Sequence, residues 1–213
     1  MSCCQCQGIE ALFNDRVARR ELRKYNKRGA TGMTVKLIQA IKRESIVSLS
    51  LMDIGGGVGA IQHELVEAGA GNIVSVDAAP AYLEASRQIA DRLNYLDRVE
   101  YHQGDFVELA ADLPASDIVT LDKVVCCYSD MEALVSKSAQ LTRRYYGLVL
   151  PRENWLVVII QQITNLVTSL RRVPFKMYIH SHEQISSLLR KIGFEEISTK
   201  QDIFWQANLY RRR

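Results

Sequence analysis

The sequence predicts an α/β fold in which a mainly parallel sheet carries helices on both faces. Three observations lead there. Apolar runs of strand length recur near residues 49–54, 73–77, 99–102 and 117–122, each holding or soon followed by an acid. Stretches of helical periodicity separate them, which is the alternation of parallel βα units. The first run breaks at Gly55-Gly56-Gly57 directly before a helical pattern, giving strand, glycine turn, helix.

Residues 9–28 read as one helix, with Ile9, Leu12, Phe13 and Val17 on an apolar stripe ended by Gly29 and Gly32. A second helix, capped near Thr31 or Thr34, turns Met33, Leu37, Ile38 and Ile41 inward. Both precede the first strand, so they pack on a sheet edge or lie over the C-terminal strand ends. Leu49, Leu51 and Ile54 suit a buried strand, and the helix after the glycines carries Ile61, Leu65 and Val66 and ends at Gly69. Ile73-Val-Ser-Val-Asp77 is the second strand. Pro80 opens a helix with Tyr82, Ser86, Ile89 and Ala90 on one face. Val99–His102 is the third strand, followed by Gly104-Asp105-Phe106, and Asp117–Asp122 is the fourth. Leu134, Leu141 and Tyr145 extend a helix over 130–146, leaving 146–150 for the fifth strand. Trp155–Leu170 is a long helix with Leu156, Ile159, Ile160, Ile163, Leu166, Val167 and Leu170 on one stripe. Gln161, Gln162 and Asn165 rule out a membrane span, so its uses are substrate cover, a dimer face or interfacial attachment. A helix over 182–192 and strands near 195–200 and 204–211 close the chain.

The glycine turn narrows the choice of ligand. A bend without Cβ atoms lets a ligand lie against bare backbone, and the helix behind it offers free N–H groups. Gly55, Gly57 and Ala60 fit the dinucleotide pattern G-x-G-x-x-[G/A], which admits a nicotinamide cofactor. Gly55, Gly57 and Gly59 behind Asp53 fit a second pattern. An acid at that place suits a ligand bearing an ammonium group and repels pyrophosphate. Asp77 lies at the separation, ~20 residues, where an acid accepts from both ribose hydroxyls in either reading.

Asp53-Ile-Gly-Gly-Gly-Val-Gly59 resembles motif I of class I S-adenosylmethionine-dependent methyltransferases, acid-x-Gly-x-Gly-x-Gly. The resemblance spans residues 48–150 and 182–212. It implies a Rossmann-like class I methyltransferase fold, a seven-stranded sheet whose C-terminal antiparallel hairpin sets strand seven beside strand five. It also implies S-adenosyl-L-methionine as cofactor, held by Asp53, Gly55, Gly57, Gly59, Asp77, Ala78, Gly104, Asp105, Phe106 and Asp122. By that pattern Asp105 accepts from the adenine amino group, Phe106 packs on the ring, and the strand end at Asp122 lies beneath the transferable methyl. In many small-molecule members an N-terminal helical lid donates a tyrosine, for which Tyr25 is the candidate. Basic N-terminal helices with an inserted helix after the fifth strand resemble magnesium-protoporphyrin O-methyltransferases; no porphyrin substrate is carried over.

Lys123-Val-Val-Cys-Cys-Tyr128 contains neither Asn/Asp-Pro-Pro-Tyr/Phe nor Pro-Cys, and the double-glutamate hairpin of arginine methyltransferases is absent. A small-molecule acceptor, apolar or anionic, is therefore expected, methylated on oxygen. In-line methyl transfer needs alignment and exclusion of water more than side-chain chemistry. For a hydroxyl acceptor Tyr128, His180 and His182 are the candidate bases. The rival nicotinamide oxidoreductase would want a Tyr-x-x-x-Lys pair after the fourth strand, and none is present. A cofactor-binding module without catalysis is the third reading.

A chain of 213 residues, 47% hydrophobic and 24% charged, suits one domain. It divides into a helical cap (1–46), a cofactor-binding half (47–150), an inserted helix over the substrate side (151–181) and a C-terminal helix and hairpin (182–213). Five cysteines, Cys3, Cys4, Cys6, Cys126 and Cys127, form no disulfide framework, and adjacent thiols hold one ion awkwardly, so no metal is expected. With no apolar signal core, the expected place is the cytoplasm. The net charge of +3 is uneven: Arg16, Arg19, Arg20, Arg23, Lys24, Lys27 and Arg28 crowd one segment, which faces solvent, an anionic substrate or a membrane surface. Little aromatic interleaving disfavours nucleic acid.

Overall fold

Strands β1 (Leu51–Ile54), β2 (Ile73–Asp77), β3 (Val99–Gln103), β4 (Ser116–Asp122), β5 (Thr142–Pro151), β6 (Phe194–Gln201) and β7 (Trp205–Arg212) form one sheet. The computed structural model describes residues 4–213, with side chains from Gly8 onward. The thiols of Cys3, Cys4 and Cys6 thus lie outside the described residues. Strand order is β3-β2-β1-β4-β5-β7-β6; the first five strands run parallel, and β7 is antiparallel to both β5 and β6. The expected seven-stranded sheet with strand seven beside strand five is what forms.

Chain direction across the sheet reverses at β1, which pairs β2 on one side and β4 on the other. Such a switch point leaves a crevice beyond the C-terminal strand ends. Register aims the acids at it. Ile54 is level with Val76 and with Leu121, so Asp77 and Asp122, each one residue further on, stand at adjacent strand tips.

Two cores cover the two faces, sorted by the alternation of strand side chains. Met52, Ile54, Val119, Leu121 and Leu148 pack on one side against α7 (Met131–Gln140) and α9 (His182–Lys191) through Leu134, Ile185 and Leu189. Leu51, Ile73, Ile118 and Val149 pack on the other against α3 (Met33–Lys42), α4 (Ala60–Glu67) and α5 (Pro80–Arg92), through Leu37, Ile41, Ile61, Leu65 and Ala90. Each fully buried Leu or Ile contributes roughly 1.5–3 kcal/mol, which is why both faces of β1 are apolar except at Asp53.

Three boundaries differ from expectation. The helix over 9–28 is two, α1 (Cys4–Leu12) and α2 (Asp15–Arg28), because the Asn14 side chain accepts from Arg16 and Val17 N–H and starts a new helix. The following helix is capped by Gly32 at φ +64°, with no side-chain cap; the Thr34 hydroxyl instead donates to Asp122. The helix over 130–146 stops at Gln140, and β5 begins at Thr142. Thr142, Tyr145 and Tyr146 are buried while Arg143 and Arg144 are exposed, and pairing with β4 and β7 outweighs the helical spacing of Leu134, Leu141 and Tyr145.

The last helix before α9 is α8 (Trp155–Leu170), and its amphipathicity is inverted. Val157 and Thr168 are buried, with Gln161, Thr164 and Asn165 partly so, while Trp155, Ile159, Ile163, Leu166 and Leu170 face outward. The inner face bonds the returning chain: Gln161 and Asn165 amides donate to Met177 O at 3.0 Å, Met177 N–H donates to Asn165 at 2.7 Å, and Thr168 donates to Phe175 O at 3.0 Å.

Candidate active site

The crevice holds a cavity of about 760 Å³. Its floor is the loop Gly55-Gly56-Gly57 with Asp77, Ala78, Gly104, Asp105, Phe106 and Asp122 at the tips of β1 to β4. Its cover comes from α1, α2 and the junction between them (Ile9, Phe13, Arg20, Glu21, Lys24, Tyr25) and from Ile160, Phe175, Met177 and Trp205. Helices α1 and α2 therefore lie over the strand ends.

Asp77 shapes the loop as well as lining the cavity. Its Oδ2 accepts from Gly57 N–H at 3.1 Å and its Oδ1 from Ala79 N–H at 2.8 Å. Burial pushes its carboxyl up from 3.8 to about 6 despite those N–H donors. Gly57 has φ +58°, and a Cβ there would meet nothing within 4 Å, so the space above it is open to a ligand. Gly55, also left-handed, is closed: a Cβ would stand 2.5 Å from the Val124 side chain.

Asp53 does not line the cavity. It lies fully buried behind the loop, where a Cβ on Gly56 would come within 2.5 Å of its Oδ2. Oδ1 accepts from the Thr120 hydroxyl at 2.7 Å and Oδ2 has no described partner. Burial lifts its carboxyl to about 7, against the pull of Thr120. Asp53, expected among the residues that hold the cofactor, thus lies beneath the glycines and off the cavity wall.

Gly59 forms the hinge into α4 at φ +79°, over a buried polar network. His63 Nε2 contacts Val58 O at 2.8 Å and its Nδ1 meets the Tyr95 hydroxyl; Gln62 donates to Tyr95 at 3.2 Å and Tyr101 at 3.3 Å. Burial lowers His63 to about 4, so it supports the loop as a neutral ring. The Tyr25 ring, which lines the cavity, packs on His63 with centroids 5.4 Å apart. Burial, with Glu64 and Glu67 near, pushes its phenol up to about 12.

At the other end Asp105 caps α6 (Phe106–Leu109) by accepting from Val107 N–H at 2.8 Å. Tyr128 donates to its two oxygens at 3.1 and 2.9 Å. The Tyr128 hydroxyl is thereby engaged by Asp105 in the turn that follows β3. His180 and His182 are corrections: neither lines the cavity. His180 Nε2 contacts Tyr128 O at 2.8 Å and His182 Nε2 contacts Pro151 O at 2.8 Å, so both rings join backbone segments.

Residues that spacing did not reveal sit beside Asp122. The Thr34 hydroxyl donates to Asp122, Lys123 Nζ lies 3.2 Å from the same carboxylate and 3.0 Å from Thr34 Oγ1, and its charge stands 5.5 Å from the Trp205 ring centre. Lys123 has φ +63°, an uncommon conformation for a residue with a Cβ, held where β4 leaves the sheet. A lysine directly after a strand-end acid was the available signal. Cys126 lines the same wall, its thiol pushed well up by contact with Cys127 and by burial.

A family model described as an O-methyltransferase domain matches residues 6–193. The chain belongs to the O-methyltransferase domain family. It is an S-adenosylmethionine-dependent methyltransferase of a small-molecule acceptor. Among solved structures this O-methyltransferase is similar to magnesium protoporphyrin IX methyltransferase from Synechocystis PCC 6803 crystallised with SAH, at 20% identity and TM-score 0.72, covering 96% of this chain and 98% of that one. It is also similar to an O-methyltransferase family protein from Burkholderia thailandensis, at 13% identity and TM-score 0.69 over 95% and 62% of the two chains. A family 2 O-methyltransferase from Planctomyces limnophilus in complex with apigenin follows at 14% identity and TM-score 0.63, over 94% and 62%. No curated protein sequence matches it.

The residues present fit the cofactor. Bare backbone over Gly57, the carboxyls of Asp77, Asp105 and Asp122 along the cavity floor, and Asp53 buried beneath the loop suit an adenosyl group with a positive sulfonium and ammonium. Among the described residues, no helix is long and apolar enough to cross a membrane.

Proposed function

We propose that this O-methyltransferase acts on a largely apolar acceptor that carries an anionic group, and that it does so in the cytoplasm, where Cys126 and Cys127 stay reduced. The observation that carries the acceptor reading is the cavity lining outside the glycine loop and the strand-tip acids. Ile9, Phe13, Ile160, Phe175, Met177 and Trp205 make it apolar, while Lys123, Arg20 and Lys24 place cations on it.

S-adenosylmethionine supplies an electrophilic methyl group. The proposed duties of this chain are binding and alignment. Asp77 accepts from the ribose hydroxyls, Asp105 from the adenine amino group, and Phe106 covers the base; Ala78 and Gly104 flank them. Asp122 and Asp53 bias the site toward a cationic ligand, and Tyr25 closes the lid. Lys123, steadied by Thr34 and Asp122, draws an acceptor anion toward the β4 tip, and Phe13, Phe175 and Met177 exclude water from it. A carboxylic acid reaches the site already ionised, and a phenol releases its proton to solvent with the phenolate then stabilised by the Lys123 ammonium, so no separate base is needed, which agrees with His180 and His182 lying outside the cavity.

The test is methyl transfer to a panel of apolar phenols, apolar carboxylic acids and their neutral esters or amides, in wild type and Lys123→Met. Anionic acceptors should be methylated on oxygen, with KM raised about tenfold or more in Lys123→Met, the scale of one charge-assisted hydrogen bond. Preference for neutral acceptors, unaffected by that substitution, refutes the anionic reading.

A further inference from the structure

We infer that the outer face of α8, with the cations that follow its last turn, docks on the surface of an anionic phospholipid membrane. Nine of the fourteen exposed large hydrophobics among the described residues lie on this one helix. Trp155 is 70% exposed, Leu166 60% and Leu170 75%, along a stripe that the polar inner face of α8 leaves unburied. Ile203 and Phe204, in the turn between β6 and β7, adjoin its first turn, because Asn154 donates to Ile203 O and Arg152 N–H to Phe204 O. An apolar face of this extent on a helix too short to span reads as an interfacial surface.

Charge selects the occupant. No acidic residue occurs between Glu153 and Glu183, whereas Arg171, Arg172 and Lys176 are exposed at the far end of α8. There the chain meets the N-terminal helices: Phe175 packs edge-on to Phe13, 6.3 Å between ring centres. Arg20 and Lys24 of α2 share the cavity mouth with Ile160 of α8, and α2 carries seven exposed Arg and Lys. An apolar stripe with three exposed cations at its far end, and with Arg20 and Lys24 lining the same cavity as Ile160, complements anionic headgroups over acyl chains. A second copy seated on the same face would present the same sign of charge.

This inference stands independently of the acceptor's identity. The full-length enzyme is floated with vesicles of phosphatidylcholine alone and of phosphatidylcholine with phosphatidylglycerol. Binding should be about tenfold or more stronger to the anionic vesicles and should weaken with salt. The paired change Ile163→Ser with Leu166→Ser, both outside the cavity, should abolish it, and Arg171→Glu with Arg172→Glu should reduce it about tenfold. Cofactor affinity should be unchanged in both, showing an intact fold. Absence of vesicle binding by wild type, or binding indifferent to the serine pair, overturns the inference. If wild type instead sediments as a dimer that the serine pair makes monomeric, and no vesicle binding occurs, the face belongs to a second copy.

Discussion

Cofactor affinity should depend steeply on pH, because two carboxyls around the glycine loop sit above their ordinary range. Burial raises Asp77 to about 6 and Asp53 to about 7. The sulfonium and ammonium charges of S-adenosylmethionine favour the ionised forms, so binding lowers both values and releases protons. If both are fully ionised in the complex, the Kd at pH 5 exceeds that at pH 7.5 by a factor on the order of 10³, about 100 from Asp53 and about 10 from Asp77. That is ~4 kcal/mol at ~1.36 kcal/mol per tenfold. Titration calorimetry between pH 5 and 7.5, below the ~7.7–8 at which an α-amino group titrates, measures the Kd. Repeating it in buffers of different ionisation enthalpy counts the protons released. Asp53→Asn should leave only about a tenfold dependence, and S-adenosylhomocysteine, without the sulfonium charge, should show a shallower slope. A Kd flat across this range, or proton uptake on binding, would refute the reasoning.

The same carboxyl shapes stability without ligand. A folded-state value above the unfolded one means Asp53 supports the fold while protonated, and that support is lost as pH rises from about 4 through about 7. Apo wild type should therefore lose ground to Asp53→Asn across that window, by up to ~4 kcal/mol in chemical denaturation. Gly57→Ala should cost only about 1 kcal/mol of stability, from its positive φ, while weakening cofactor binding at least about tenfold because its methyl fills the ligand's space. Tyr128→Phe should alter KM for the cofactor with less than about a tenfold change in kcat, since its hydroxyl serves Asp105; a loss of about 100-fold or more in kcat would restore it as a base. His180→Ala and His182→Ala should each lower the melting temperature, by ~1 kcal/mol in stability, and leave kcat within about twofold.

The parallel strands, the glycine loop and the acids at the strand tips were legible because each signal is local: a short apolar run, a Cβ-free bend and an acid one residue past the pairing row. What was not legible depends on pairing at a distance. Thr142–Tyr146 reads as helix until β4 and β7 supply its partners, and His180 and His182 read as candidate bases because sequence does not show the backbone carbonyls that hold them. Lys123 is adjacent to Asp122 in sequence, yet its value as a cation in the cavity depends on Thr34, which approaches from a helix before the sheet begins. Asp53 matched its motif, but the motif carries no depth, and the residue proved to be under the loop.

The polar underside of α8 has a mechanical consequence. A helix held down by Leu and Ile loses its hydrophobic contacts with every ångström it is raised, whereas Gln161, Asn165 and Thr168 can exchange Met177 and Phe175 for water at a net cost of roughly 1 kcal/mol each. Displacing this flap bares little new oil. Raising α8 is therefore opposed by exchangeable hydrogen bonds more than by buried apolar surface.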